Sequence, residues 1–199
     1  MSEITRVGVD LAKNVIQVHA VDAAGRVVAA RALPRGKFFE WCVHLAPGCL
    51  LAMEACTGAH YWARRLVAQG LQVKLIPPQF VAPYRLQGKS GKNDANDAAA
   101  VCEAASRPNM NFVPIKTAAQ QSRLAIHRLR ENYKTELTAL INCIRGILAE
   151  FGLVVAQGPD KLRRSLPGLL EDAANELSGE LRVAIQESMA HCAALQERI

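Results

Sequence analysis

The sequence predicts an α/β domain over residues 1–115 and a helical region over residues 116–199. In the first part, short apolar segments of strand length alternate with turn signals and with segments of helical period. In the second part, apolar residues recur at steps of three and four, as on one face of a helix. Hydrophobic residues make up 50% of the 199 residues, which is ample for a core.

The first three predicted strands follow one another directly. They cover residues 4–10, 15–22 and 26–33, and Ala24-Gly25 supplies the turn between the second and the third. Three short strands in succession indicate an antiparallel meander.

A helix, a strand, a second helix and a fifth strand are predicted next. The helices cover residues 38–45 and 59–68. Residues 49–53 are a continuous apolar run, which is typical of a strand buried on both faces. The fifth strand covers residues 71–76. Because a strand–helix–strand unit is a right-handed crossover, we expect the fourth and fifth strands to be parallel.

This order, β-β-β-α-β-α-β followed by helices, matches the ribonuclease H-like architecture. In that fold, acidic residues come from the first strand, the end of the fourth strand and a later helix. The chain has Asp10 and Glu54 at the two strand ends, and Asp94 and Asp97 three residues apart on one face of a helix after the fifth strand. Carboxylates that converge repel one another unless cations compensate. The four residues together predict a site for a divalent metal.

Each acidic residue also has a simpler interpretation. Asp94 and Asp97 can cap a helix, because an acid at the N-cap and another three residues later resemble a capping box, and both favour the positive end of the helix. Asp10 and Glu54 can be strand-end residues that face water. The metal hypothesis therefore depends on the constellation, since no single residue is specific.

The charge distribution favours a polyanionic partner. The net charge is +6; basic residues outnumber acidic ones over residues 1–115 and 116–165, whereas acidic residues outnumber basic ones over residues 166–199. A basic body with an acidic end fits nucleic acid. Exposed, solvated faces explain single basic residues equally well. The residues that we predict to contact nucleic acid are Arg85, Lys89, Lys92, Arg123, Arg130 and Lys134, with His127 in the same helical stripe as the last three.

One long helix is predicted from about Ala118 to Gly152. It carries a seam of apolar residues at steps of four and three: Tyr133, Leu137, Leu140, Ile144, Ile147 and Phe151. Such a seam is typical of a coiled coil, and packing within the chain is the equal alternative to self-association. Lys161, Arg163 and Arg164 fall in a predicted loop that Pro167-Gly168 punctuates again. Residues 171–199 are predicted as an acidic helix that folds back on the long helix or pairs with a second copy.

Other features bear on location and class. No apolar run reaches the roughly 18 to 20 residues of a membrane span, and the N-terminus lacks the apolar core of a signal peptide. The six cysteines include no C-x-x-C pair, so we expect reduced thiols and no zinc knuckle. We therefore expect a cytoplasmic protein that does not bind a membrane.

Three motifs carry a family resemblance: Gly8-Val9-Asp10-Leu11-Ala12-Lys13, Met53-Glu54-Ala55-Cys56-Thr57-Gly58 and Lys92-Asn93-Asp94-Ala95-Asn96-Asp97-Ala98. By their order and spacing, the chain resembles the N-terminal half of the DEDD-type insertion-sequence transposases (IS110 family), which are related to the Piv DNA invertase and to RuvC-like resolvases. The resemblance covers roughly residues 4–151.

The resemblance implies a RuvC-like domain with a helical connector. It also implies that Asp10, Glu54, Asp94 and Asp97 bind Mg²⁺, with Mn²⁺ as a substitute. The implied activity is metal-dependent DNA strand cleavage and transfer by an insertion-sequence recombinase that is guided by a structured RNA.

The chain departs from the family pattern in one respect. Family members continue into a C-terminal domain with a serine nucleophile, and nothing in this sequence matches it. We expect a fragment truncated before that domain and incomplete in recombination on its own. The alternative is a nucleic-acid-binding and dimerisation module with no catalysis. A sugar-kinase or actin-like phosphotransferase shares the strand-one Asp and the following hairpin, but the second related domain and glycine motifs that it needs do not occur.

Overall fold

The computed structural model describes residues 3–85 and 93–199. The chain forms two compact units, Met1–Gln120 and Gln121–Ile199. The elements are β1 (Arg6–Leu11), β2 (Val15–Val21), β3 (Val27–Pro34), α1 (Arg35–Cys42), β4 (Leu50–Glu54), α2 (Ala59–Val67), β5 (Gln72–Ile76), α3 (Pro78–Val81), a 3₁₀ turn (Ala82–Tyr84), α4 (Asp94–Ala104), α5 (Ala118–Glu150), α6 (Pro159–Glu171) and α7 (Gly179–Glu197).

The first unit is built on one mixed sheet of five strands in the order β3-β2-β1-β4-β5. The β1–β2 and β2–β3 pairs are antiparallel, while the β1–β4 and β4–β5 pairs are parallel. The predicted α/β class, the meander and the parallel pairing of the fourth and fifth strands are confirmed. The ribonuclease H-like assignment stays a prediction.

Helices cover both faces of the central strands. Successive side chains of a strand point to opposite faces. In β4, Leu51 and Met53 belong to the same buried cluster as Phe38 of α1 and Trp62 of α2. Ala52, between them, packs instead in the cluster that contains the Ala-rich face of α4. Residues of even number in β4 therefore face α4.

Helix α4 lies directly against β1, and Gly8 makes this contact possible. A Cβ atom built on Gly8 would lie 2.2 Å from the carbonyl oxygen of Ala98 and 2.6 Å from the Cβ atom of Cys102. Both distances are far below van der Waals contact, so only glycine fits here. The close packing brings the first turn of α4 to the carboxyl end of β1.

The long helix has the predicted bounds within two residues. It begins after Thr117, whose hydroxyl accepts the Gln120 backbone N–H while the Gln120 side chain accepts the Thr117 N–H, a reciprocal capping box. Five of the six seam residues, Leu137, Leu140, Ile144, Ile147 and Phe151, pack in one cluster with residues of α6 and α7. Their neighbours are thus the chain's own helices, and a coiled coil between copies stays a prediction.

Two predictions in the second unit were wrong. The predicted loop with Lys161, Arg163 and Arg164 is helix α6, which contains Pro167 in its interior. The helix tolerates this proline because its apolar face, with Leu162 and Leu166, is buried against α5 and α7.

The predicted helix start at residue 171 was also wrong. Helix α7 begins at Gly179, where the Ser178 hydroxyl accepts the Leu181 backbone N–H. As one of the two predicted arrangements required, α7 folds back on α5: the His191 ring lies 2.9 Å from Glu136 Oε1. All six cysteines are free thiols. Across residues 3–85 and 93–199, no helix combines the length and hydrophobicity that crossing a membrane requires.

Candidate active site

Asp10 and Glu54 lie side by side at the carboxyl ends of two adjacent strands. β1 and β4 are parallel, and Val9 is paired with Met53, so Asp10 and Glu54 are the next residues along the two strands. Both share the parity of Gly8 and Ala52, the residues that face α4. The two carboxylates are therefore directed to the α4 side of the sheet.

The first turn of α4 supplies Asp94 and Asp97, but neither is its N-cap. The cap is Asn93, whose Oδ1 accepts the backbone N–H of Asn96 at 2.8 Å. The capping-box alternative for the two aspartates, with Asp94 as the cap, was therefore wrong. Asp94 is exposed and Asp97 is half-buried. With the cap provided by Asn93, both carboxylates stay available for another role.

Arg85 connects the strand-end acid to the helix acid. Its Nη2 lies 2.5 Å from Glu54 Oε1, and its Nε lies 2.8 Å from Asp97 Oδ1. The buried Nε–H does not point along this second contact, which is an ion pair without hydrogen-bond geometry. The residue predicted to contact nucleic acid is thus paired with two of the predicted metal ligands.

The acidic residues influence one another electrostatically. Burial raises the pKa of Asp10, and the charges of Asp97 and Asp94 raise it further, while Arg85 lowers it. Burial also raises the pKa of Glu54, Arg85 lowers it, and the charges of Asp10 and Asp97 raise it. These carboxylates form one partly buried group in which negative charge is costly. A cation bound among them would remove part of this cost.

The donor chemistry of the group fits a hard divalent cation. Mg²⁺ prefers carboxylate and water oxygens, and the four acids supply only such donors. Among residues 3–85 and 93–199, however, no three His, Cys, Asp or Glu side chains are arranged to hold a metal ion. The acids are therefore suited to Mg²⁺ by type and charge, and their arrangement is that of a cluster paired with arginine.

The other predicted nucleic-acid residues are not part of this group. Arg123, Arg130 and Lys134 are exposed on α5, as is His127. Lys134 Nζ lies 2.8 Å from Glu131 Oε1. The predicted contacts at Lys89 and Lys92 lie outside the described residues.

A cavity of about 470 Å³ follows Asp10, and the sequence did not predict it. The lining residues come from the end of β1 and the loop after it, from the start of α1, and from the β4–α2 loop. They are Leu11, Ala12, Lys13, Arg35, Thr57 and Gly58. The lining has two cationic side chains and no acid, which favours an anion. Lys13 and Thr57 each follow an acidic residue by three positions, which was an available signal, whereas Arg35 comes from a distant part of the sequence.

Arg35 is held in place in this cavity. Its Nη1 donates to the carbonyl oxygen of Ala12 at 2.9 Å. Its guanidinium lies 5.4 Å from the centre of the Trp62 ring, within cation–π range. The orientation of this cation is therefore fixed before any ligand binds.

Residues 7–152 match the family model of the DEDD transposases of the IS110 type, described as "Transposase". The chain belongs to this family. The match runs from β1 to just beyond the end of α5, so it includes the strand ends, α4 and the whole long helix. The family predicted from the three sequence motifs is confirmed.

Named transposases are similar over most of the chain. A probable family 20 transposase of Pseudomonas aeruginosa is 44% identical over 204 residues, which cover 98% of this chain and 59% of the relative. The transposase for insertion sequence element IS1111A of Coxiella burnetii is 41% identical over 182 residues, covering 92% and 49%. The transposase for IS1328 of Yersinia enterocolitica is 39% identical over 164 residues, covering 82% and 48%. The chain thus spans about half to three-fifths of the length of these curated relatives.

Proposed function

We propose that this chain is the catalytic half of an insertion-sequence transposase that cleaves and transfers DNA strands with a divalent metal. The observation that carries the proposal is the convergence of Asp10, Glu54 and Asp97 at one edge of the sheet, from β1, β4 and α4. The strand order and the packing of α4 on β1 support a ribonuclease H-like, RuvC-like fold.

In this proposal, Asp10, Glu54, Asp94 and Asp97 hold Mg²⁺, with Mn²⁺ as a substitute. These carboxylates would hold the cation, which would supply polarisation of a scissile phosphate and activation of the attacking oxygen. Asp10 and Glu54 provide fixed positions because they lie on paired strands. Asp94 and Asp97 are positioned by the packing of α4 at Gly8.

The cavity beside Asp10 supports a place for the DNA strand. Lys13 and Arg35 line it without an acidic neighbour in the lining, so a backbone phosphate is the ligand that fits the charge. The exposed basic side chains Arg123, Arg130 and Lys134 on α5 are proposed to contact DNA or the guide RNA. The guide RNA itself is inferred from the family resemblance.

The chain is also proposed to associate with a second copy through α5. Leu124, Ile126 and Leu129 are 42%, 65% and 52% exposed in the N-terminal half of this helix. Ile126 and Leu129 continue the apolar seam by steps of three and four to Tyr133. A second α5 would cover these side chains. Light scattering should therefore find a dimer or larger oligomer that Ile126→Glu with Leu129→Glu disrupts; a monomeric wild-type chain would contradict this part of the proposal.

The central test is strand cleavage by the full-length transposase with single isosteric changes at the four acids. Asp10→Asn, Glu54→Gln, Asp94→Asn and Asp97→Asn should each abolish cleavage of DNA carrying the ends of the element, without loss of folding. Glu103→Gln is the matched control, because Glu103 lies on α4 and is exposed, paired with Arg107 rather than with the cluster. Cleavage that survives in one variant removes that residue from the role.

A second function, binding and assembly without catalysis, is favoured by the pairing of Arg85 with Glu54 and Asp97. Because this pairing already compensates two of the acids, the cluster can be structural. In that case, DNA or RNA binding by this chain should be unchanged by Mg²⁺ and by all four isosteric variants, and the variants should leave cleavage by the full-length protein intact.

A further inference from the structure

The acidic cluster contains its own cation. Glu54 ends a strand and Asp97 lies in the first turn of a helix, and one guanidinium contacts both. The two carboxylate side chains are 14% and 20% exposed, so their charges are largely withdrawn from water. A cation at this position lowers the repulsion between them. Arg85 thus does part of what a bound metal would do.

Arg85 contacts one carboxylate oxygen of Glu54 and one of Asp97, and both are oxygens that a metal could use. A guanidinium at 2.5 Å from Glu54 and 2.8 Å from Asp97 leaves no room for a second cation between these atoms. Two cations placed there would also repel each other strongly in this partly buried site. Binding of a divalent metal by Glu54 Oε1 and Asp97 Oδ1 therefore requires that Arg85 move.

The pairing has features of a replaceable contact. Arginine binds a carboxylate most strongly when two parallel N–H groups meet both oxygens of one acid. Arg85 instead divides its fork between two acids, and its buried Nε–H lacks a hydrogen-bond acceptor. A buried donor without an acceptor is costly. Among the ion pairs of the described residues, none includes Asp10 or Asp94, so Arg85 makes direct contact with only two of the four acids.

We propose that Arg85 is a positioning residue that holds Glu54 and Asp97 in the metal-free protein and yields both carboxylates when a divalent cation binds. The inference rests on the metal site proposed above. It explains why acids that suit Mg²⁺ by type are arranged as an arginine-paired cluster. It also links the two roles of Arg85, since its guanidinium becomes available for a phosphate only after release.

The first test measures Mn²⁺ binding to the full chain by calorimetry. Arg85→Gln removes the competing charge and should bind Mn²⁺ about tenfold more tightly than the wild type, the size expected for losing one competing charge contact. The Mn²⁺ affinity of Arg85→Lys should lie between those of the wild type and Arg85→Gln, because one ammonium group cannot span both acids as a guanidinium does. A merely structural role predicts the opposite, since loosened acids would bind metal more weakly.

Arg107→Gln is the matched control. Arg107 follows α4 and pairs with Glu103, outside the acidic cluster. It should bind Mn²⁺ as the wild type does. If the wild type binds Mn²⁺ and Arg85→Gln binds equally or more weakly, the inference is overturned while the metal site stands. If neither protein binds Mn²⁺, the metal site itself is wrong and both proposals fall.

A second measurement uses the wild-type protein and so does not depend on how a variant folds. The Nε–H resonance of Arg85, assigned by its absence in Arg85→Lys, is followed by NMR during a titration with Mg²⁺. Release from Glu54 and Asp97 should shift this resonance and speed its exchange with water. An unchanged resonance in a protein that has bound Mg²⁺ would overturn the inference.

Discussion

The sheet edge, meaning the carboxyl ends of β1 and β4, and the long helix α5 position their charged residues by different means. At the sheet edge, Asp10 and Glu54 are fixed by strand register, and α4 is fixed by its contact with Gly8. Along α5, the basic residues are exposed. The apolar seam packs within the chain from Leu137 to Phe151, whereas Ile126 and Leu129 are exposed. The direction in which a strand-end side chain points can therefore be predicted from the sequence. The surroundings of a side chain on an exposed helix cannot, because they depend on what covers the helix.

The largest expected effect comes from Gly8→Ala, which breaks the contact on which the sheet-edge cluster depends. The added Cβ would meet backbone atoms of α4 at 2.2 and 2.3 Å, and backbone cannot move aside as a flexible side chain can. We expect a loss of more than about 3 kcal/mol in the free energy of unfolding, at the upper end for overpacking. Urea denaturation measures it, and Mn²⁺ binding should be lost as α4 is displaced.

A mild result at Gly8 would mean that α4 can shift without cost. Gly36→Ala is the control for the first unit, because a Cβ at Gly36 in α1 meets nothing within 4 Å. If Gly8→Ala and Gly36→Ala had equal stability and both bound Mn²⁺, the close packing of α4 on β1 would not be what positions Asp97.

The second prediction tests whether the DNA contact lies in the cavity beside Asp10 or on α5. Lys13→Ala removes a cation from the cavity beside Asp10 and should weaken binding of a short DNA duplex severalfold, with a shallower dependence of affinity on salt, by about one unit for one lost phosphate contact. Fluorescence anisotropy at several salt concentrations measures both quantities.

Two lysines provide the comparison for Lys13. Lys37 on α1 is exposed and pairs with Glu40 at 2.9 Å, so Lys37→Ala should leave binding unchanged. Lys134→Ala tests α5 in the same assay. Weaker binding for Lys134→Ala, with none for Lys13→Ala, would place the DNA contact on the long helix and not at the sheet edge.

A smaller effect concerns pH and is specific to the first unit. His60 Nδ1 accepts the Lys116 backbone N–H at 3.2 Å, which requires an unprotonated nitrogen. Burial lowers the pKa of His60, and the charges of Lys116 and Arg64 lower it further. The unfolded chain therefore takes up this proton near the ordinary pKa of 6.5, before the folded chain does. Stability is fully present above that pH and should fall as the pH is lowered through it.

Urea denaturation between neutral and mildly acidic pH measures this dependence. In His60→Gln, the free energy of unfolding should depend less steeply on pH than in the wild type. Burial also lowers the pKa of His19, with the Arg6 charge adding to the effect, so His19→Gln should remove a further part. If His60→Gln and the wild type lost stability equally over this pH range, His60 would not contribute.

Features that depend on residues close together in the sequence could be predicted, whereas contacts between distant residues could not. The sequence predicted where the strands end, that β4 and β5 are parallel, and that Asp10 and Glu54 lie at strand ends. These predictions were possible because strand alternation and short connections depend on neighbouring residues. Arg85 was assigned to nucleic acid because its pairing with Glu54, 31 positions away, depends on the folded arrangement. Arg35 was missed for the same reason. Helix α6 was missed because Pro167 indicated a break, whereas burial of the helix's apolar face outweighs the missing N–H.

The smallest effect, with the opposite sign to that at Gly8, is expected at Gly146 on α5. A Cβ built there meets nothing within 4 Å, and the residue is exposed in the interior of a helix. Alanine restricts the unfolded chain more than glycine does and favours the helix. Gly146→Ala should therefore stabilise the second unit by about 0.5 to 1 kcal/mol. Urea denaturation should show this gain with Mn²⁺ binding unchanged; a loss of stability would mean that another chain approaches α5 closely at Gly146, as β1 and α4 approach at Gly8.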